Sequence, residues 1–265
     1  MKAIGVCKLC LQQKPLLLSH YLPASLYGKK HSAFEFETFY SAGKTEKQVR
    51  QYLLCRDCEQ LLSANGESHV LDTLRPKDKI FSLNERMNVA WSRDGDPSCP
   101  RFDARDFGLD MDQFAHFALG LVWRGMITTW TMFDGNETHK LPILGNQDED
   151  IRKYVLGETG FPENIAIIVI VCKDKESRKT LFVPTPFVES GCLNIGFTLR
   201  GLHFRVMMGQ VPGFYRYNSC TSPHRPIFHG DAKNKTEGGF ATIAAIRARA
   251  PWLQVDEEPE SVEAV

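Results

Sequence analysis

The chain lacks an excess of either charge: 32 Lys and Arg stand against 32 Asp and Glu. That excludes the broad cationic surface by which some proteins coat nucleic acid through charge alone. It also lacks an apolar run at its amino terminus. Met1-Lys2-Ala3-Ile4-Gly5-Val6 reaches a cysteine at position 7, too soon for the apolar core of an export signal. No stretch repeats another. Long hydrophobic runs are scarce, and the one that meets the lower length of a membrane span, Gln113 to Phe133, carries Arg124 near its middle and paired threonines. A core helix is the expectation there, and no membrane association.

What is present is the composition of a soluble globular protein, 43% hydrophobic and 24% charged over 265 residues. Without an export signal the eight cysteines are expected to be reduced and the protein cytoplasmic. Cys99, Cys172, Cys192 and Cys220 stand apart from one another and read as small buried hydrophobes. The charge is unevenly spread: residues 1–80 carry a balance of +4 and the remainder −4, with Asp256, Glu257, Glu258, Glu260 and Glu263 crowding the tail. A mildly basic first part is compatible with phosphate contacts.

Turn-formers such as Asp94-Gly95-Asp96-Pro97 and Cys99-Pro100 place a linker at 84–110, between a unit at 1–83 and a second at 111–255, with an acidic tail at 256–265. In the second unit, Ile165 to Val171 is β-branched and continuous, as a strand buried on both faces would be. Leu181-Phe182-Val183 and Phe187-Val188 suggest a strand broken by prolines. Ile195, Phe197 and Leu199, then Leu202, Phe204, Val206 and Met208, alternate on either side of a hairpin turn at Arg200-Gly201. A last helix is expected after Gly238-Gly239, with Phe240, Ile243, Ala244 and Ile246 on one side and Pro251 as its stop. The class is α+β.

The strongest chemical signal is two Cys-x-x-Cys pairs, Cys7/Cys10 and Cys55/Cys58. Each puts two thiolates on one tight turn, and two such turns brought together make the tetrahedral sulfur cage that Zn²⁺ prefers. Leu11 to Pro15 after the first pair is turn-like, as in a zinc knuckle. Tyr52-Leu53-Leu54 before the second is strand-like, and Glu59 to Ala64 after it is a helix-forming run closing at Asn65-Gly66. A knuckle first and a helix start last is the treble-clef (ββα) order. Four thiolates leave no open position, so this zinc is structural. A redox role for one pair competes, but neither lies in a βαβ pattern.

Between the pairs stands Ser19-His20-Tyr21-Leu22-Pro23. Together, Cys7 to Cys10, His20-Tyr21-Leu22-Pro23 and Leu53 to Cys58 resemble the HNH endonuclease superfamily, over about residues 5–70. That resemblance implies a phosphodiester hydrolase with His20 as the general base, taking a proton from water. It also implies one exchangeable divalent ion, Mg²⁺ or Mn²⁺, that neutralises charge at the scissile phosphate. This chain departs from the pattern at the ligand positions. Ser19 stands where Asp or His is usual, Glu59 where a helix histidine is usual, and Arg50 near the usual Asn. Glu59 and Glu67 are then the candidate ligands of the catalytic ion, with His69 as a spare. The competing reading makes His20 a hairpin brace and Glu59 a helix-start acid.

Lys29-Lys30-His31 and the stretch from Lys44 to Arg50 add positive charge between the pairs, and His224 with His229 suggests either a metal clip or a proline-rich loop. Trp123-Arg124 reads as packing, with the guanidinium paired or directed to a surface. The whole implies a nuclease module acting on nucleic acid, DNA foremost, with a second unit for a protein partner, ligand or substrate. By analogy such modules serve mobile elements, restriction or antiphage defence. The alternative is a catalytically inactive zinc module that binds nucleic acid or a protein, and a third class is an inert subunit of a larger complex.

Overall fold

A computed structural model describes residues 3–230 apart from 28–33, 38–41, 46, 75–81, 91–98, 133–134, 136, 138–139, 174–176, 179 and 190. The expected helix after Gly238-Gly239, the acidic tail and Lys29-Lys30-His31 lie outside the described residues. The chain runs β1 (Ile4–Val6), β2 (Gln13–His20), β3 (Phe34–Glu37), β4 (Ala42–Thr45), β5 (Arg50–Cys55), α1 (Arg56–Leu62), α2 (Ser68–Leu74) and α3 (Ser82–Val89). It continues through β6 (Arg101–Asp103), α4 (Met111–Ile127), α5 (Gln147–Leu156), β7 (Ile165–Cys172), β8 (Thr180–Glu189), β9 (Cys192–Leu199), β10 (Leu202–Met208), α6 (Gly213–Tyr217) and β11 (Pro226–Gly230). The class is α+β.

Two sheets carry the strands. A small antiparallel one has the order β1-β2-β5, and an eight-stranded one the order β4-β3-β8-β9-β10-β7-β11-β6. All eight residues of β7 are buried, between antiparallel β10 and parallel β11, which is why its sequence never alternates. The β9–β10 hairpin turns at Arg200 and Gly201, both with positive φ (47° and 93°), the combination a two-residue turn of matching twist requires. The two proline-separated pieces expected at 181–188 are one strand. Its register slips between Phe182 and Thr185, around Pro184, beyond the reach of β3, which pairs only with Thr180 to Phe182. A proline there withholds no donor from the β3 ladder.

The segment between the two cysteine pairs contributes β3 and β4 to the large sheet, through parallel pairing of Glu35 with Thr180. Residues of 1–83 and of 111–230 share one apolar cluster, running from Cys7 and Leu9 through α4 to Phe197 and Phe204. The organiser is α4, in which 14 of 17 residues are buried. A helix apolar on every side has to be surrounded. Here β8, β10, α1, α2 and α5 surround it, and each fully buried Phe or Leu contributes about 1.5–3 kcal/mol. Its start is fixed by Asp110, whose carboxylate accepts from the backbone N–H groups of Asp112 (3.0 Å) and Gln113 (3.3 Å). Among the described residues no helix is long and apolar enough to cross a membrane.

Candidate metal centre and adjoining cavity

The turn after β1 folds back on itself. Leu11 N–H donates to the Cys7 carbonyl (2.8 Å), Cys7 N–H to the Gln12 carbonyl (2.9 Å), and Leu11 takes a left-handed φ of 59°. This knuckle presents Cys7 and Cys10. Cys55 ends β5 and Cys58 lies in the first turn of α1. The ligand atoms of all four lie within 4.8 Å of one another, so the cluster could hold a metal ion. Four sulfurs at about 2.3 Å from Zn²⁺ sit about 3.8 Å apart along each tetrahedral edge. The Cys10 and Cys55 sulfurs are 3.9 Å apart, so the donor set and its spacing fit zinc.

Burial and the three neighbouring sulfurs together push the Cys58 thiol far above its ordinary value, a sign of how poorly this spot tolerates thiolates without a cation. The surroundings brace the cage. Cys55 N–H donates to the Cys7 sulfur (3.3 Å), Lys14 pairs with Asp57 across β2 and α1 (2.9 Å), and Arg152 of α5 donates to the Leu9 carbonyl inside the knuckle (2.8 Å).

Beside the cage opens a cavity of about 410 Å³, walled by the end of β2, the turn at Pro23-Ala24, α1 and α4. Its chemistry comes from His20, Arg56, Glu59, Ser63, Glu67 and Arg124. The sequence-selected His20, Glu59 and Glu67 therefore line one space, although they are far apart in the chain. His20 closes β2 opposite Arg50 of β5, and its Nε2 lies 2.9 Å from the Gln48 amide oxygen. With that oxygen accepting, Nε2 carries the proton and Nδ1 keeps the lone pair. Gln51 of β5 donates to Thr128 Oγ1 (3.1 Å) and the Thr129 carbonyl (2.9 Å), tying this strand to the end of α4.

Glu59 and Glu67 share a face for a local reason. Eight residues of ideal α-helix would leave them about 80° apart around the axis. Between α1 and α2, however, Ser63–Glu67 forms a wider turn in which Ser68 N–H donates to the Ser63 carbonyl, five residues back. That removes part of the rotation. Gly66 sits where this turn meets α4: a Cβ there would lie 2.8 Å from both the Gln113 carbonyl oxygen and the Phe117 nitrogen. Gly66→Ala is expected to push α4 off the turn and cost about 1–3 kcal/mol, read as a lowered midpoint in chemical denaturation.

Arg124 is the residue sequence reading left out of the site. It is 2% exposed, and its Nη1 is 2.9 Å from Glu67 Oε1 while Nη2 is 3.9 Å from Glu59 Oε2. Arg124 Nε and Glu59 Oε1 are buried with no hydrogen-bond partner. The signal was available, because an arginine inside a 17-residue apolar helix has to be paired.

The remaining candidates go elsewhere. Ser19 is buried, its Oγ accepting from Leu54 N–H (3.1 Å), which makes it a strand-to-strand tie. His69 Nε2 accepts from Asp110 N–H (3.0 Å) at the start of α4 and does not line the cavity. His224 rests on Tyr217, with ring centroids 4.6 Å apart, whereas His229 is buried against Asn84 (2.8 Å). Among the described residues the four cysteines are the one group of three or more His, Cys, Asp or Glu side chains close enough to share an ion. His20, Glu59 and Glu67 do not form a second.

No protein-family model, curated protein or solved structure matches this chain.

Proposed function

We propose that this is an HNH-like, treble-clef zinc protein that hydrolyses phosphodiester bonds of nucleic acid in the cytoplasm, DNA foremost. The observation that carries the reading is that His20, Glu59 and Glu67 converge on one cavity beside a zinc-compatible Cys₄ cluster. The β1–β2 hairpin with its knuckle, followed by β5 and α1, supplies the ββα frame. The zinc is the frame's fastener and takes no part in the chemistry.

In this reading His20 accepts the proton of an attacking water at Nδ1, the ring nitrogen that keeps its lone pair. The hydrogen bond that its Nε2 donates to the Gln48 amide oxygen fixes the ring. Arg56, at the rim, meets the phosphate backbone. Glu59, with Glu67 beside it in the cavity, is the residue that would hold a divalent ion, because carboxylate oxygens suit Mg²⁺ or Mn²⁺ and Glu59 has a buried oxygen without a partner. Such an ion supplies charge neutralisation at the phosphate. A protein partner would meet the second half of the chain, where α6 presents Phe214, 71% exposed, and Tyr217.

The test is nicking of supercoiled plasmid by the zinc-loaded full chain. Cleavage is expected with Mg²⁺ or Mn²⁺ and not with EDTA, and Glu59→Gln should lower the rate by at least about 10²-fold. Failure to cut in any divalent metal overturns the hydrolase. One observation favours a second reading, a zinc module that binds nucleic acid or protein without cutting: the Arg124 guanidinium already sits between the two carboxylates. Retention of labelled DNA without cleavage would establish it.

A further inference from the structure

The two carboxylates in the cavity are not equivalent. Glu67 makes a close ion pair with Arg124 (2.9 Å), whereas Glu59 lies 3.9 Å from the same guanidinium. Glu59 also keeps a buried oxygen, Oε1, without any hydrogen-bond partner. Arg124 has no freedom to choose otherwise. Its side chain is 3% exposed, it projects from a helix enclosed on all sides, and its carbonyl is held by Trp130 Nε1 (3.2 Å). A buried cation of this kind persists only where its counter-ion is fixed with it.

We infer that Arg124 is a positioning residue of the cavity: it commits Glu67 as its counter-ion and leaves Glu59, with its unpartnered buried oxygen, for a divalent cation. This deepens the metal-dependent reading and rests on it. Charge accounts for the arrangement. The two carboxylates and the Arg124 guanidinium sum to −1, so a divalent ion brings this trio to +1, opposite in sign to a phosphodiester, and Arg56 in the same lining adds to it. Without Arg124 the site would carry −2, bind the ion more tightly and hold the phosphate less well.

The experiment is Mn²⁺ binding to the zinc-loaded full chain, followed by the loss of the free-ion paramagnetic resonance signal. It requires no catalysis. Arg124→Met is expected to bind Mn²⁺ at least about tenfold tighter than the unaltered protein, an effect no loss of packing produces. Arg124→Lys should restore the original affinity within about threefold.

If Arg124→Met does not fold, the double variant Glu67→Gln/Arg124→Met decides, because it removes the pair together and keeps the net charge at −1. Affinity within about threefold of the original is expected if Glu67 is only a counter-ion. A tenfold loss in the double variant would make Glu67 a ligand and overturn the inference. So would a folded Arg124→Met that binds no more tightly, or an absence of Mn²⁺ binding in every protein. If these shifts appear but no plasmid is cut, the hydrolase reading fails and the role of Arg124 stands.

Discussion

Cys58→Ser is expected to leave the protein without zinc and without its native N-terminal structure. Cys58 is buried in the first turn of α1 and brings this helix's sulfur to the cluster that the knuckle cysteines share. A serine hydroxyl is a poor ligand for zinc, and three remaining thiolates would share a buried space with no cation strong enough to compensate them. Structural zinc contributes about 10–16 kcal/mol of apparent binding free energy in small zinc modules, comparable to or larger than the whole stability of a typical domain. The damage should spread. Arg152 of α5 holds the Leu9 carbonyl, and Cys7, Leu9, Leu54 and Cys58 belong to the same apolar cluster as α4. Far-ultraviolet circular dichroism and proteolysis should therefore show loss of structure in the variant, and in the unaltered protein after a strong chelator. A variant that loses zinc yet keeps a native melting transition would reduce the cage to an ornament.

His20→Ala is expected to abolish plasmid nicking, by about 10²–10⁴-fold, while zinc content and melting temperature stay near those of the unaltered protein. The separation is possible because His20 is at the end of β2, partly exposed, and makes its side-chain hydrogen bond to Gln48 on the surface. It anchors no core. Gln48→Ala, which frees the ring without removing it, should cost much less. If His20→Ala cuts as well as the unaltered chain, the base lies elsewhere and the brace reading of this histidine is the correct one. Unfolding on the same substitution would also favour a brace, so thermal melts accompany the rate measurements.

Local sequence carried a good deal of this. The two Cys-x-x-Cys turns, the strand before Cys55, the start of the helix after it and the hairpin at Arg200-Gly201 are all written in short-range preferences that tertiary packing then agrees with. That helix does not close at Asn65-Gly66 as expected: it runs on through the wide turn at Ser63–Glu67 into α2. Other features depend on what packs against what. Nothing in Phe34 to Glu37 says that it pairs with Thr180 to Phe182, some 140 residues away, because a strand's sequence specifies its faces and not its neighbour. Helical periodicity assumes 3.6 residues per turn, so the wide turn at Ser63–Glu67, which swings Glu67 toward Glu59, was invisible to it. Arg124 is instructive for another reason. Its charge inside an apolar helix leaves two expectations, a paired guanidinium or one directed to a surface, and only the fold shows that it is paired, with Glu67 and Glu59.

The claim beneath all of this is that one zinc is gripped by four sulfurs, and X-ray absorption at the zinc edge of the purified full chain tests it most directly. One zinc per chain with four sulfur neighbours at about 2.3 Å is the result this account requires. Protein purified without zinc, or a zinc whose shell holds nitrogen or oxygen in place of sulfur, would contradict it.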